Sequence, residues 1–119
     1  MPFDDPKTTT LFRPTGQKEL ALIAATGFRA FPPRLPEQPI FYPVTTFSYA
    51  EQIARDWNAR DGEKGFVTRF SLPASFLQKY QTKIVGSSAH EEYWIPAEDL
   101  PLLNAAIIGL IDVVAEFVS

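Results

Sequence analysis

Hydrophobic and polar positions recur with recognisable periods along most of this chain. Thr8 to Arg13 is rich in β-branched and aromatic residues, which predicts a short strand. Thr15 is placed to cap a helix running to about Thr26, with Leu20, Ile23 and Ala24 on one face and Gly27 as terminator. Ile40 to Val44 reads as a second strand. Ser48-x-x-Glu51 then has the form of a capping box. Tyr49, Ile53 and Trp57 follow at i, i+4 and i+8 with Ala50 and Ala54 beside them, which predicts a buried stripe. Asp61-Gly62 closes that helix.

Gly65 to Leu72 alternates, with Phe66, Phe70 and Leu72 on one face and Val67, Arg69 and Ser71 on the other. Pro73 to Tyr80 suits a short helix with proline in its first turn. Thr82 to Val85 and Glu91 to Ile95 read as strands. Pro96 to about Ala106 reads as a helix, with Pro101 tolerated only near its start. Leu110 to Val118 is a closing strand, with Ile111, Val113, Ala115 and Phe117 facing one way. Strands and helices mix without a regular βαβ rhythm. The expected class is therefore α+β, a mainly antiparallel sheet with three to four short helices. Residues 1–7 are expected to fray, and residues 8–119 to form one domain.

Proline interrupts this pattern once. Pro32-Pro33-Arg34-Leu35-Pro36-Glu37-Gln38-Pro39 is neither a regular helix nor a central strand. It is a stiff loop that either only connects two elements or presents Arg34 from the wall of a cleft. The length, 119 residues, suits one domain, and 45% hydrophobic residues with ten Phe supply ample core. Cysteine is absent, so disulfides, thiolate nucleophiles and cysteine zinc sites are excluded. Net charge is −3 and the basic residues are dispersed, so no nucleic-acid partner is expected. The longest apolar run, Ala105 to Ile111, falls far short of the roughly 20 residues that span a bilayer. The start of the chain lacks a basic stretch before an apolar one. A cytoplasmic location without membrane attachment is the resulting expectation.

Ordered short motifs carry the chemistry: Leu11-Phe12-Arg13, then Phe41-Tyr42-Pro43-Val44, then His90-Glu91-Glu92-Tyr93-Trp94. An arginine offers a bidentate fork to phosphate oxygens, and a tyrosine face can stack on a flat ring. A fixed carboxylate stabilises positive charge developing on a ribose. On a pleated strand His90, Glu92 and Trp94 project to one face, so His90 and Trp94 would flank Glu92. Plainer roles are open for each residue. Arg13 can pair with an acidic residue, Tyr42 can be a sheet aromatic, and Glu92 can be solvated. Tyr49 and Trp57 read as core. One histidine and no cysteine do not make a zinc site, and none is expected. Asp112 and Glu116 lie roughly 13 Å apart along a strand, too far for a close carboxylate pair. Ser87 and Ser88 lack a nucleophile elbow, and Gly86-Ser87-Ser88 reads as a turn rather than a phosphate loop.

In this order the motifs resemble the ADP-ribosyltransferase fold over roughly residues 10–118. More closely, the chain is similar to small bacterial proteins that carry the label "ADP-ribosylation/crystallin J1". The crystallin J1 half of that label belongs to long, all-helical, magnesium-dependent glycohydrolases, whose Asp-rich metal motifs this chain lacks. What the resemblance implies is a split β-sheet core and NAD as cofactor or substrate. By resemblance Arg13 contacts phosphate or ribose, Tyr42 stacks near nicotinamide, and Glu92 is the catalytic carboxylate; Arg34, from its loop, and His90, from its place beside Glu92, are expected as further cofactor contacts. Two departures stand out. No Ser-Thr-Ser follows the second strand, where only Thr45-Thr46 remains, and His90 occupies the first position of the Glu-x-Glu pair of arginine-specific members. Two readings of function result. One is an NAD-dependent ADP-ribosyltransferase or NAD glycohydrolase, and the other a non-catalytic partner-binding module on the same fold.

Overall fold

The computed structural model describes residues 7–85 and 90–118. Its main sheet has β3 (Lys64–Pro73) at the centre, with β1 (Thr8–Gly16) and β7 (Ile108–Val118) on either side, both antiparallel to it. The β1–β3 register runs unbroken from Thr8 opposite Pro73 to Gly16 opposite Gly65. Two small antiparallel pairs complete the strands: β2 (Ile40–Phe41) with β6 (Ile95–Pro96), and β4 (Thr82–Ile84) with β5 (Glu91–Tyr93). The helices are α1 (Gln17–Ala25), α2 (Phe47–Ile53), α3 (Ala74–Leu77) and α4 (Leu100–Ala106). The class is α+β with antiparallel sheets, as the pattern of the chain implies. No helix among the described residues is long and apolar enough to cross a membrane.

The pleat of the main sheet sends alternate residues into two hydrophobic clusters. Leu11, Phe70 and Leu72 join Phe31, Phe41, Ile95, Leu103 and Ile111 in the larger one. There the Phe31 ring lies 5.1 Å from Phe41 and 4.9 Å from Phe70. Val67, Val44, Ala50 and Ala54 form the smaller cluster. Val44 stitches the pieces together. It exchanges backbone hydrogen bonds of 2.9 and 2.8 Å with Phe12 of β1 and also bridges to Glu92 of β5. The strand expected over residues 40–44 is thus regular only at Ile40–Phe41.

Several local expectations are corrected. Thr15 does not cap α1: it is buried inside β1, the cap position falls on Gly16, and no side chain bonds the helix start. Only Ile23 of the expected α1 face is buried, because α1 packs by a narrow edge and leaves Ala24 exposed. The start of α2 is capped by Thr46, whose hydroxyl accepts from the Tyr49 N–H, rather than by Ser48. Trp57 is not core but 67% exposed. Beyond Ile53 the helix widens into a π-helical turn, Ala54–Asn58. The extra residue in that turn rotates position 57 off the buried stripe, and the Trp57 ring lies instead under the Arg60 guanidinium. On β7, the expected common face is split: Ile111 joins the larger cluster and Ala115 and Phe117 pack against the smaller one, because the β3–β7 register shifts between Val67 and Thr68, that is between Ala115 and Val113, and resets the alternation; Val113 is exposed. The Lys7 carbonyl accepts the N–H of Ala74, whereas residues 1–6, expected to fray, lie outside the described residues. So does the turn expected at Gly86-Ser87-Ser88.

Candidate functional site

Where the end of β1 meets β5 and the proline-rich loop, the surface opens into a cavity of about 520 Å³. Arg13, Arg34, Tyr42 and Glu92 all line it. They reach it from β1, the loop before β2, the residue after β2, and β5. Local structure explains the convergence. Leu11, Arg13 and Thr15 alternate onto the face of β1 that carries the larger cluster, and the buried Thr68 hydroxyl donates to the Arg13 carbonyl at 2.8 Å, fixing the strand there. Val44 then ties β5, and with it Glu92, to the edge of β1.

Glu92 is only 9% exposed. Both of its carboxylate oxygens are held by neutral donors: the Tyr49 hydroxyl at 2.9 Å on Oε2 and the Trp94 indole N–H at 2.8 Å on Oε1. Among the described residues no cation pairs with it. Burial, followed by the hydrogen bond to Glu92 and its charge, pushes the Tyr49 phenol up to about 12, so Tyr49 remains a donor at neutral pH. A buried carboxylate fixed by two neutral groups is prepared for a positive charge that the protein itself does not supply.

The cationic end is arranged differently. Arg13 is 9% exposed, and Nε and Nη2 donate to the two Glu19 oxygens at 2.9 and 2.8 Å, while the guanidinium lies 4.8 Å from the Phe41 ring centre. The plainer role open to Arg13, an ion pair, is therefore realised, yet Arg13 and Glu19 both line the cavity. Arg34 donates from Nε to the Ile40 carbonyl at 3.2 Å, and its terminal nitrogens make no hydrogen bond among the described residues. Burial first, and Arg13 second, lower the Arg34 pKa, so an anion placed beside it relieves both effects.

Tyr42 and Trp94 form the rim, edge to face with ring centres 6.0 Å apart, 37% and 38% exposed. A flat ring entering the mouth meets both. Trp94 flanks Glu92 as the pleat implies, but His90 does not line the cavity. Its ring stacks on Tyr49 at 4.5 Å, and its nitrogens face the Val85 carbonyl and Gln52 Oε1. His90 thus stands behind the Tyr49–Glu92 hydrogen bond. Tyr49, read as core from its helical spacing, packs against the smaller cluster and also holds the carboxylate. Glu19 escapes sequence reasoning because an acidic residue in the first turn of a helix usually faces water. Among the described residues no group of three or more His, Asp or Glu side chains is placed to hold a metal ion.

No family model matches this chain, and neither the curated proteins nor the solved structures contain a match to it.

Proposed function

We propose that this domain binds NAD and cleaves its nicotinamide–ribose bond, passing ADP-ribose to water or to an acceptor, on an ADP-ribosyltransferase-like fold. The observation that carries the reading is Glu92: among the described residues, a buried carboxylate with no cationic partner, in one cavity with a guanidinium whose terminal nitrogens make no hydrogen bond and with two rim aromatics. In that arrangement the pyridinium ring packs against Tyr42 and Trp94 at the rim, and the diphosphate lies toward Arg34 and Arg13. The ribose lies beside Glu92. Nicotinamide departs with the electron pair of the C1′–N bond and becomes neutral. Positive charge is left on the ribose, where the carboxylate stabilises it. Water or the acceptor then bonds to C1′ and releases one proton.

A measurement of nicotinamide release with NAD, paired with binding calorimetry, tests this. Glu92→Gln is isosteric and keeps an acceptor for Tyr49 or Trp94. Release is expected to fall by about a hundredfold or more while NAD affinity changes little. Absence of both heat and release in the unaltered protein rejects the reading.

The Arg13–Glu19 pair favours a second reading, a binding module of the same fold, since that arginine is already neutralised. Ligand binding without release by the unaltered protein, equally strong in Glu92→Gln, would select it.

A further inference from the structure

His90 is the one histidine of the chain, and the proposed reaction gives it no part. Its surroundings are nonetheless closely specified. The imidazole lies on the Tyr49 ring, with 4.5 Å between ring centres and 12° between planes. Nδ1 stands 3.2 Å from the Val85 carbonyl, and Nε2 3.2 Å from Gln52 Oε1. A carbonyl only accepts, so Nδ1 carries a proton and donates it there. Nε2 faces a side-chain amide, which offers its oxygen or, turned over, its N–H. The imidazole is thus held at both nitrogens whether neutral or charged, and its plane is fixed. Val85 is itself tied to His90 by the backbone, its N–H donating to the His90 carbonyl at 2.9 Å.

Tyr49 needs such a support. Its hydroxyl reaches from α2 across to Glu92 of β5, and a phenol turns about two side-chain torsions. The bond to Glu92 lasts only while the ring is kept from turning. The smaller hydrophobic cluster packs against the ring, and the imidazole covers a face of it. Gln52 belongs to the same helix as Tyr49, three residues on, so the two share a helix face. His90 immediately precedes β5 and stands two residues before Glu92. The stack therefore joins the helix that supplies the donor to the strand that supplies the acceptor.

We propose that His90 is a positioning residue: stacked on Tyr49 and pinned by Gln52 and Val85, it keeps the Tyr49 hydroxyl on Glu92 and so keeps the carboxylate aimed into the cavity. The inference rests on the NAD reading and deepens it, because the aim of Glu92 matters to the reaction only if a ribose lies beside it.

Two readouts test it, and the first needs no NAD. Alkaline titration of tyrosine ring signals is followed by NMR, with Tyr49→Phe identifying the Tyr49 signal. In the unaltered protein Tyr49 is expected to titrate at about 12, held there by burial and by its bond to Glu92. His90→Ala should bring it down toward the ordinary ~10. His90→Phe, which keeps a flat ring on the tyrosine, should leave it raised, and Gln52→Ala, which removes one pin, should lower it by less than His90→Ala does. The second readout is nicotinamide release. His90→Ala is expected to lower kcat about tenfold, the worth of one hydrogen bond, with KM for NAD little changed, and His90→Phe to restore most of the loss. Added to Tyr49→Phe, His90→Ala should lower kcat no further, since the hydroxyl through which it acts is already gone.

A Tyr49 titration that His90→Ala leaves in place overturns the proposal. So does a further loss of kcat in the double variant, which would give His90 a role that bypasses Tyr49. The two failures are distinguishable. A lowered Tyr49 titration in His90→Ala, with no nicotinamide released by the unaltered protein, sinks the reaction and keeps the hold of His90 on Tyr49. Release that persists undiminished in His90→Ala sinks the positioning role and keeps the reaction.

Discussion

At the scale of single residues, the cavity balances two carboxylates against two guanidiniums, but not pair by pair. Glu19 takes the Nε–Nη2 edge of Arg13, while Glu92 is left to neutral donors and Arg34 to one carbonyl. Removing Glu19 therefore strands Arg13, which is buried against Phe41. Glu19→Ala should lose about 1–3 kcal/mol in urea unfolding, and Glu19→Gln less, since an amide oxygen still accepts from one guanidinium nitrogen. Equal losses in the two variants would mean that side-chain packing, not the ion pair, sets the cost. Arg13, Arg34, Tyr42 and Glu92 could be found from the sequence because their residue types name a chemistry. Thr15 and Asn58, which also line the cavity, could not. A threonine before a helix reads as a cap, and an asparagine after one as a terminus. Their distinction, a buried side-chain oxygen without a hydrogen-bond partner among the described residues, is a property of packing that no spacing records.

At the scale of elements, the path of α2 decides which of its side chains are buried. The apolar stripe of Tyr49, Ile53 and Trp57 assumes a uniform turn, and up to Ala54 the chain obeys it, with Ala50 and Ala54 fully buried. The widened turn then brings the helix backbone onto Gly65. Gly65→Ala is expected to cost about 1–3 kcal/mol, because the contact is with the Ala54 backbone and no flexible side chain can give way. Thermal unfolding checks this, and an undisturbed midpoint would show that the close approach is not tight. Most element positions follow from periodicity alone. What periodicity misses is where it breaks: the register shift that divides Ile111 from Ala115 and Phe117, and the π-helical turn that exposes Trp57. One belongs to strand pairing and the other to the packing of a helix on β3, and neither is contained in the local pattern.

At the scale of the whole molecule, two phenols fasten distant parts of the chain. Tyr49 joins α2 to β5 through Glu92, and the hydroxyl of Tyr80, beyond α3, donates to Asp99 before α4 at 2.8 Å. Each phenol is pushed up to about 12, by burial first and then by its carboxylate partner. The native state therefore holds these protons more tightly than the unfolded chain, where a tyrosine titrates near ~10. This contribution to stability is complete below about pH 10 and is lost as pH rises through about 12. Lysines also titrate in that window, so the slope of the unaltered protein alone decides nothing. Tyr49→Phe and Tyr80→Phe, alone and combined, isolate the effect: each should flatten the decline of unfolding free energy between about pH 10 and 12. The pair lie in separate hydrogen bonds with different carboxylates, so their effects should add. Tyr49→Phe should in addition reduce nicotinamide release at neutral pH, where its ionisation is irrelevant, because it removes one donor from Glu92. Tyr80→Phe should leave release unchanged, since Tyr80 does not line the cavity. Parallel stability curves for all four proteins would mean that neither phenol carries the alkaline loss. A release defect shared by Tyr80→Phe would mean that it reflects general loosening rather than the hold on Glu92.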